Sequence, residues 1–259
     1  MLTVFYIIKR IICSYSFLFF INMINLLMVS VMMNFIKKLK IKDIAIFCAI
    51  LLVFMLFEIV FLFFGYDFHN LTLNDELFMT FSKYFVLIVF FILYYRKYLK
   101  EKWHDFTKNF KKYMKIGFKD WFTGFIIMYV ANAIIMNFLG NIGQNEEVVQ
   151  GLISKTPIVA FLLTTLFAPF IEEMLFRKLL QDCFNNKILF MIISGLLFGL
   201  VHVLGAENYL EYLLIISYGA LGFMFAHALV KTDNIYTTIM LHMFHNGVLT
   251  IIAILGNVL

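Results

Sequence analysis

Apolar segments long enough to cross a lipid bilayer recur along the whole chain, and this feature constrains the fold more than any other. A helix needs about 20 apolar residues to span the hydrocarbon core. Of the 259 residues, 63% are hydrophobic and only 14% are charged, with a mean hydropathy of +0.92. Soluble domains carry roughly a quarter charged residues, and the alternating polarity of a membrane barrel is absent. The sequence therefore predicts an all-α, polytopic membrane protein.

The apolar segments predict a bundle of about eight transmembrane helices. Their approximate bounds are 11–33, 43–66, 77–95, 121–140, 157–184, 188–206, 209–230 and 234–257. The linkers after the first and third helices are basic, whereas those after the second, fourth and sixth are acidic. Because basic loops remain in the cytoplasm, we expect a multi-pass protein of the cell membrane with both termini outside.

The linker at residues 96–119 combines nine basic residues with aromatic ones. It is either an amphipathic segment on the anionic inner leaflet or a solvated cytoplasmic loop. Membrane lipid is therefore an expected partner and nucleic acid is not, since short basic loops serve mainly to orient membrane helices. We divide the chain into residues 1–150, with four N-terminal helices and this basic cytoplasmic loop, and residues 151–259, which carry the candidate site.

Two adjacent glutamates and an arginine interrupt the fifth apolar segment, in "APFIEEMLFRKLL". Charge inside the hydrocarbon is costly, so these side chains must face a protein interior or a wet cavity and find partners. Glu173 and Arg177 are four residues apart on one helix and can form an ion pair. Glu172 is rotated by about 100° from its neighbour, which leaves it available for chemistry. Pro169 is expected to kink the helix and free a backbone carbonyl.

The fifth and sixth helices form a hairpin that brings a histidine to the depth of Glu172. If the chain turns at residues 185–187, Glu172 stands fifteen residues before Lys187 and His202 stands fifteen after it. Both side chains then lie about 22 Å from the turn. Gly195 and Gly199 are four residues apart and predict close approach of a neighbouring helix beside His202.

The last helix adds His242 and Asn246, which share a face, just as Phe198 and His202 share a face of the sixth helix. A carboxylate shielded from bulk water can act as a general base, and His202 can hold or polarise the attacking water. His242 and Asn246 can donate hydrogen bonds to a tetrahedral oxyanion. These residues predict amide hydrolysis within the membrane. His245 is expected to contact the site residues rather than the substrate.

Three ordered motifs, EExxxR, FxxxH and HxxxN, resemble the signature of the type II CAAX prenyl endopeptidases and their bacterial relatives, the CPBP (Abi) intramembrane proteases. They are carried by "EEMLFR" (Glu172, Glu173, Arg177), "FGLVH" (Phe198, His202) and "HMFHN" (His242, Asn246). The resemblance covers roughly residues 155–255. It implies an eight-helix bundle, a polar cavity open to the cytoplasmic side, catalysis by Glu172 with His202, and an oxyanion role for His242 with Asn246. Glu173, Arg177 and Phe198 take structural roles.

The resemblance implies a substrate that is a membrane-associated peptide or a prenylated, CAAX-like protein. Bacterial members of the family are associated with bacteriocin maturation, self-immunity and peptide pheromone processing. No metal or other cofactor is expected. A zinc protease with Glu172, His202 and His242 as ligands is an alternative, although no HExxH motif occurs. A non-enzymatic immunity protein or a proton-coupled membrane protein is another, since membrane carboxylates and histidines also relay protons.

Overall fold

The computed structural model describes residues 40–139, 143–206 and 208–258, and the regular elements in these ranges are helices. The first candidate span, 11–33, lies outside the described residues. The helices are α1 (Ile41–Leu56, followed by 3-10 turns over Phe57–Phe64), α2 (Leu73–Tyr94), α3 (Arg96–Leu139), α4 (Gln144–Lys155), α5 (Pro157–Asp182), α6 (Lys187–Val203), α7 (Ile215–Thr232, preceded by 3-10 turns over Tyr209–Leu214) and α8 (Ile235–Val258).

Six helices in the described ranges are long and apolar enough to cross a bilayer. They are α1 with its 3-10 extension, α2, α3, α5, α7 with its preceding turns, and α8. The apolar helix α6 has 17 residues and ends at Val203, earlier than the predicted 206, because Gly205 follows in a turn. The prediction of an all-α polytopic membrane protein is confirmed, with a count close to the expected one.

Helix α3 corrects the treatment of residues 96–119 as a linker, because these residues are the first half of one 44-residue helix. Lysine is a good helix former, and aromatic residues recur at helical spacing. Trp103 packs with its ring centroid 5.0 Å from that of Tyr236, and Lys102 lies 2.6 Å from the Asp233 carboxylate. This basic half of α3 therefore packs on the turn between α7 and α8. Its contact with lipid stays a prediction.

Helix α4 is an element that hydropathy did not predict, since it is short and amphipathic. It begins after Gly143, and the backbone N–H of Gln144 donates a hydrogen bond of 2.9 Å to the Glu211 carboxylate. Glu211 is buried and thereby satisfies one of the donors that a helix N-terminus leaves unpaired. The acidic segment before α7 is thus tied to the start of α4.

Helix α5 contains two wide π-helical segments, Leu163–Phe167 and Met174–Leu179. In the first, Ala168 N–H donates to Leu163 O, five residues back. The next carbonyl, Thr164 O, would pair in the same way with residue 169, which is a proline without an N–H. Pro169 therefore frees a backbone carbonyl in the segment that precedes the paired glutamates, as the sequence predicted.

Helices α6 and α7 pack closely because both carry glycines at their contact. A Cβ placed on Gly195 would lie 2.8 Å from Gly219 O, and one on Gly199 would lie 2.6 Å from Ile215 O. Any larger residue would force the two backbones apart. The close approach predicted from Gly195 and Gly199 is present, and the neighbour is α7.

The centre of the bundle lies around α5. Half of the spanning segments of α5 and α7 is buried, compared with 17% for α1 and α2. Ile171, Met174, Leu175 and Phe176 surround the charged residues of α5 and are fully buried. The largest apolar cluster also includes residues of α1 and α2, so both sides of the division at residue 150 contribute to it. The charged residues of α5 therefore lie in a protein interior.

Candidate active site

Glu173 and Arg177 form the predicted ion pair inside the bundle. Arg177 Nε lies 3.2 Å from Glu173 Oε2, and both side chains are 0% exposed. The guanidinium carbon also lies 4.3 Å from the ring centre of Phe198, a distance at which the ring face attracts the cation. A buried charge without its partner is strongly destabilising. This pair and Phe198 consequently fix α5 against α6.

Glu173 also holds His242, a contact that sequence reasoning missed. His242 Nδ1 lies 2.9 Å from Glu173 Oε1. An ionised carboxylate only accepts hydrogen bonds, so Nδ1 carries the hydrogen and Nε2 faces away from Glu173. His242 Nε2 lies 3.8 Å from Glu172 Oε2. The two adjacent glutamates thus face different nitrogens of one imidazole ring. Glu173 orients the ring through Nδ1, and Glu172 faces Nε2.

Glu172 is the more accessible of the two carboxylates, with 15% of its side chain exposed compared with 0% for Glu173. Its charge interacts electrostatically with His202, with Arg177 and with Tyr84 on α2. The structure therefore brings Glu172, His202 and His242 into one electrostatic cluster, although they come from α5, α6 and α8. The sequence did not predict that Tyr84 belongs to the site, because nothing distinguished it from other polar side chains in apolar helices.

His202 is held at one ring nitrogen and by two aromatic rings. Its Nδ1 lies 2.7 Å from Phe198 O, and since a carbonyl only accepts, the neutral ring has its free lone pair on Nε2. The Phe198 ring centroid lies 4.5 Å from that of His202, and Tyr218 on α7 stacks at 4.5 Å with an interplanar angle of 22°. Tyr218 was not predicted, because only the α6–α7 contact brings it to His202.

Asn246 donates a hydrogen bond to the backbone carbonyl that Pro169 leaves unpaired in α5. Its Nδ2 donates to Thr164 O at 2.9 Å, which satisfies the carbonyl that residue 169 cannot reach. An amide has two hydrogens on nitrogen, so one remains for another acceptor. Asn246 thereby links α8 to α5, a role that the HxxxN spacing alone did not indicate.

His245 is buried on α8 and accepts a hydrogen bond at Nδ1 from the Trp121 indole, at 3.3 Å. It thus connects α8 to α3. His227 lies 3.0 Å from the buried Asp120 carboxylate, and Lys231 lies 3.4 Å from the same group. These contacts fasten α3 to α7 and α8.

Among the residues that the structure describes, no group of three or more His, Cys, Asp or Glu side chains is placed to hold a metal ion. Glu172, His202 and His242 belong to one electrostatic cluster but do not form such a set. Catalysis without a metal stays a prediction.

A cavity of about 560 Å³ reaches His202. The start of α2, one face of α4 and the end of α6 form its wall, together with Glu211. These segments include the acidic linkers that the charge distribution predicts to lie outside. Glu172 and His242 are not among the lining residues. The cavity therefore approaches the cluster from the His202 side, and an opening toward the cytoplasm stays a prediction.

Comparisons with known proteins agree with the motifs. The family described as "Type II CAAX prenyl endopeptidase Rce1-like" matches residues 154–248. "UPF0177 protein YbdI" of Lactococcus lactis is 30% identical over 138 residues, which cover 50% of this chain and 74% of the relative. "Putative membrane peptidase YdiL" of Bacillus subtilis is 29% identical over 119 residues, 45% of this chain and 46% of the relative. No solved structure is significantly similar to the chain.

A third relative, an uncharacterized protein of Mycoplasma capricolum, is 28% identical over 169 residues, 56% of this chain. The chain spans about half the length of this relative and of YdiL, at 49% and 46%. The family match and the relative described as a putative membrane peptidase point to one class, that of the intramembrane proteases. Within that class the chain belongs to the CPBP family, which is related to the type II CAAX prenyl endopeptidases.

Proposed function

We propose that this protein is an intramembrane endopeptidase that hydrolyses a peptide bond by means of a water molecule activated by Glu172 and His202. The observation that carries the proposal is the different use of two adjacent carboxylates. Glu173 is fully buried between Arg177 and His242, whereas Glu172 keeps partial exposure and lies 3.8 Å from His242 Nε2. A carboxylate that is not held in a structural ion pair is available for proton transfer.

Water activation follows from the acceptors that the cluster offers. With Nδ1 of His202 donating to Phe198 O, Nε2 is an acceptor. A water molecule can donate one hydrogen to Glu172 and the other to His202, which leaves an oxygen lone pair for attack on the carbonyl carbon. Glu172 takes the proton as the carbon–oxygen bond forms. The same proton then passes to the amine nitrogen as the carbon–nitrogen bond breaks.

Oxyanion stabilisation is assigned to His242 and Asn246. Asn246 has one N–H left after its bond to Thr164 O. His242 donates through Nδ1 to Glu173, so it must be doubly protonated to donate also through Nε2. Glu172 and Glu173 both lie beside this ring, at 3.8 Å from Nε2 and 2.9 Å from Nδ1. Donors placed where charge develops are commonly worth about 2.7–4 kcal/mol each to the transition state.

The substrate proposed from the family is a membrane-associated peptide or a prenylated, CAAX-like protein, in bacteriocin or pheromone processing or in self-immunity. The cell membrane is the proposed location. The proposed opening of the site is on the cytoplasmic side, as the family resemblance implies.

The test is cleavage by the purified protein in detergent. A quenched fluorescent CAAX-type peptide and a membrane-anchored peptide precursor are compared for wild type and Glu172→Gln, each with and without a strong chelator. We expect cleavage by wild type that survives the chelator. Cleavage should fall by about 10²–10⁴-fold in Glu172→Gln, the size of a general-base contribution.

Other outcomes would select other functions. Loss of cleavage with chelator and recovery with zinc would favour the metalloprotease. Biological function retained by Glu172→Gln, together with no cleavage in any sample, would favour a binding role in immunity or proton-coupled transport. Wild-type cleavage in Glu172→Gln would remove Glu172 from the site.

A further inference from the structure

We propose that Tyr218 on α7 is a positioning residue for His202, and that its ring keeps the imidazole in the orientation in which it holds the attacking water. The proposal rests on the proposed endopeptidase function, because that function assigns the water to His202. It adds a residue that lies outside the three sequence motifs. Tyr218 acts through the imidazole and contacts neither the water nor the peptide.

The hydrogen bond of His202 restrains only one edge of its ring. Nδ1 lies 2.7 Å from Phe198 O, which fixes the direction of that nitrogen. Hydrogen bonds to a carbonyl accept a broad range of angles, so the ring plane can still tilt about this bond and move Nε2. Nε2 is the atom that accepts a hydrogen from the water. A second restraint, on the ring plane, is therefore required to keep the water in place.

Tyr218 supplies this restraint by stacking on the imidazole. Its ring centroid lies 4.5 Å from that of His202, and the two ring planes differ by only 22°. Stacked aromatic pairs adopt such separations. Phe198 lies equally close, at 4.5 Å, but its ring is inclined by 47°. The nearly parallel ring of Tyr218 opposes tilt of the imidazole, because tilting would drive the two rings into each other.

Glycines at the contact between α6 and α7 bring Tyr218 to this position. Gly219 follows Tyr218 directly, and Gly199 lies three residues before His202. A Cβ on Gly199 would lie 3.0 Å from Gly219 N and 2.6 Å from Ile215 O. Larger residues would therefore separate the two helices and pull the phenol ring away from the imidazole. The stack depends on backbone approach at the same turn of each helix.

A purely structural role for Tyr218 is the alternative, because its side chain also packs against an apolar cluster that includes Leu200 and Leu214. Its hydroxyl lies 3.5 Å from Asn145 Nδ2 on α4, a distance longer than hydrogen bonds prefer. The ring rather than the hydroxyl therefore carries the positioning role. The two roles predict different variants to be tolerated, since leucine fills apolar space but only an aromatic ring stacks.

The experiment compares Tyr218→Phe, which keeps the ring, with Tyr218→Leu and Tyr218→Met, which remove it. Phe223→Leu is the matched control, because Phe223 lies on the same helix and packs at Gly195, about two turns from His202. Thermal midpoints in one detergent show that each variant is folded, and steady-state cleavage gives kcat and KM. Nitrogen NMR of histidine-labelled protein shows which ring nitrogen of His202 carries the hydrogen, with His202→Asn used to assign its signals.

We expect the non-aromatic variants to lower kcat by about 10–10²-fold, since misplacing a catalytic group by about 1 Å can cost about 10²-fold. KM should be unchanged, because the water rather than the peptide is affected. Tyr218→Phe and Phe223→Leu should match wild type. The hydrogen on His202 should stay on Nδ1 in Tyr218→Phe and be shared between both nitrogens in Tyr218→Leu.

Wild-type kcat in folded Tyr218→Leu or Tyr218→Met, or an equal loss in Tyr218→Phe or in the control, would overturn the positioning role. An unchanged His202 signal in Tyr218→Leu would overturn it as well, whether or not any sample cleaves peptide. If wild type shows no cleavage but the NMR signals change as expected, the contact between Tyr218 and His202 is supported and the result counts against the endopeptidase function alone.

Discussion

Replacing Glu172 or Glu173 by glutamine makes the same change, from a carboxylate to an amide, at two adjacent positions. The structure nevertheless predicts opposite effects on stability and on activity. Glu173→Gln removes the charge that lies 3.2 Å from Arg177 in a fully buried pair. An uncompensated buried charge costs about 3–5 kcal/mol. For a chain of this size, each kcal/mol shifts the melting midpoint by about 2–4 °C, so we expect a fall of roughly 6–20 °C.

Glu172→Gln leaves the buried pair intact. Its side chain is 15% exposed and lies 3.8 Å from His242 Nε2. Removing an intramembrane charge relieves desolvation, so the melting midpoint should stay the same or rise. Activity should be lost, since the amide cannot accept the proton. Stability and activity are therefore expected to separate between two neighbouring residues.

The assay is thermal unfolding of the purified variants in one detergent, followed by tryptophan fluorescence, with cleavage measured on the same samples. The double variant Glu173→Gln/Arg177→Met is the control, because it removes both charges. Replacing a buried ion pair by apolar groups is often neutral or stabilising, so the double variant should regain most of the midpoint lost in Glu173→Gln. Equal shifts for the Glu172 and Glu173 variants, or no recovery in the double variant, would refute this division of roles.

Two further predictions follow from the site and the cavity. Asn246→Ala strands Thr164 O, so it should destabilise the protein by about 1–3 kcal/mol and lower kcat by about 10²–10³-fold through loss of an oxyanion donor. Thermal unfolding and steady-state kinetics test this, and unchanged stability would show that Asn246 does not support the π turn. In a cysteine-free background, Glu147→Cys should react with a membrane-impermeant maleimide in intact cells, whereas Lys111→Cys should react only after lysis. The reverse pattern would place the cavity on the cytoplasmic side.

Much of the fold was determined by the sequence alone, because the bilayer admits few solutions. Apolar length predicted the spanning helices, since backbone polar groups in lipid must be satisfied within a helix. Spacing of four residues predicted the Glu173–Arg177 pair, which is a local contact within one helix. Glycine spacing predicted the close approach at Gly195 and Gly199. The sequence did not predict that residues 96–119 are part of a long helix, because a dense run of charged residues is typical of a linker between spans.

Only the tertiary structure decided how the site residues are used. The Glu173–His242 contact joins α5 to α8, and the stacking of Tyr218 on His202 joins α6 to α7. Both depend on the rotation and depth of helices that are distant in sequence. Asn246 is bonded to Thr164 O because a proline and a π turn together expose that carbonyl. The sequence determines which residues share a helix face. Packing between helices decides which faces meet, and the chemistry of this site depends on that packing.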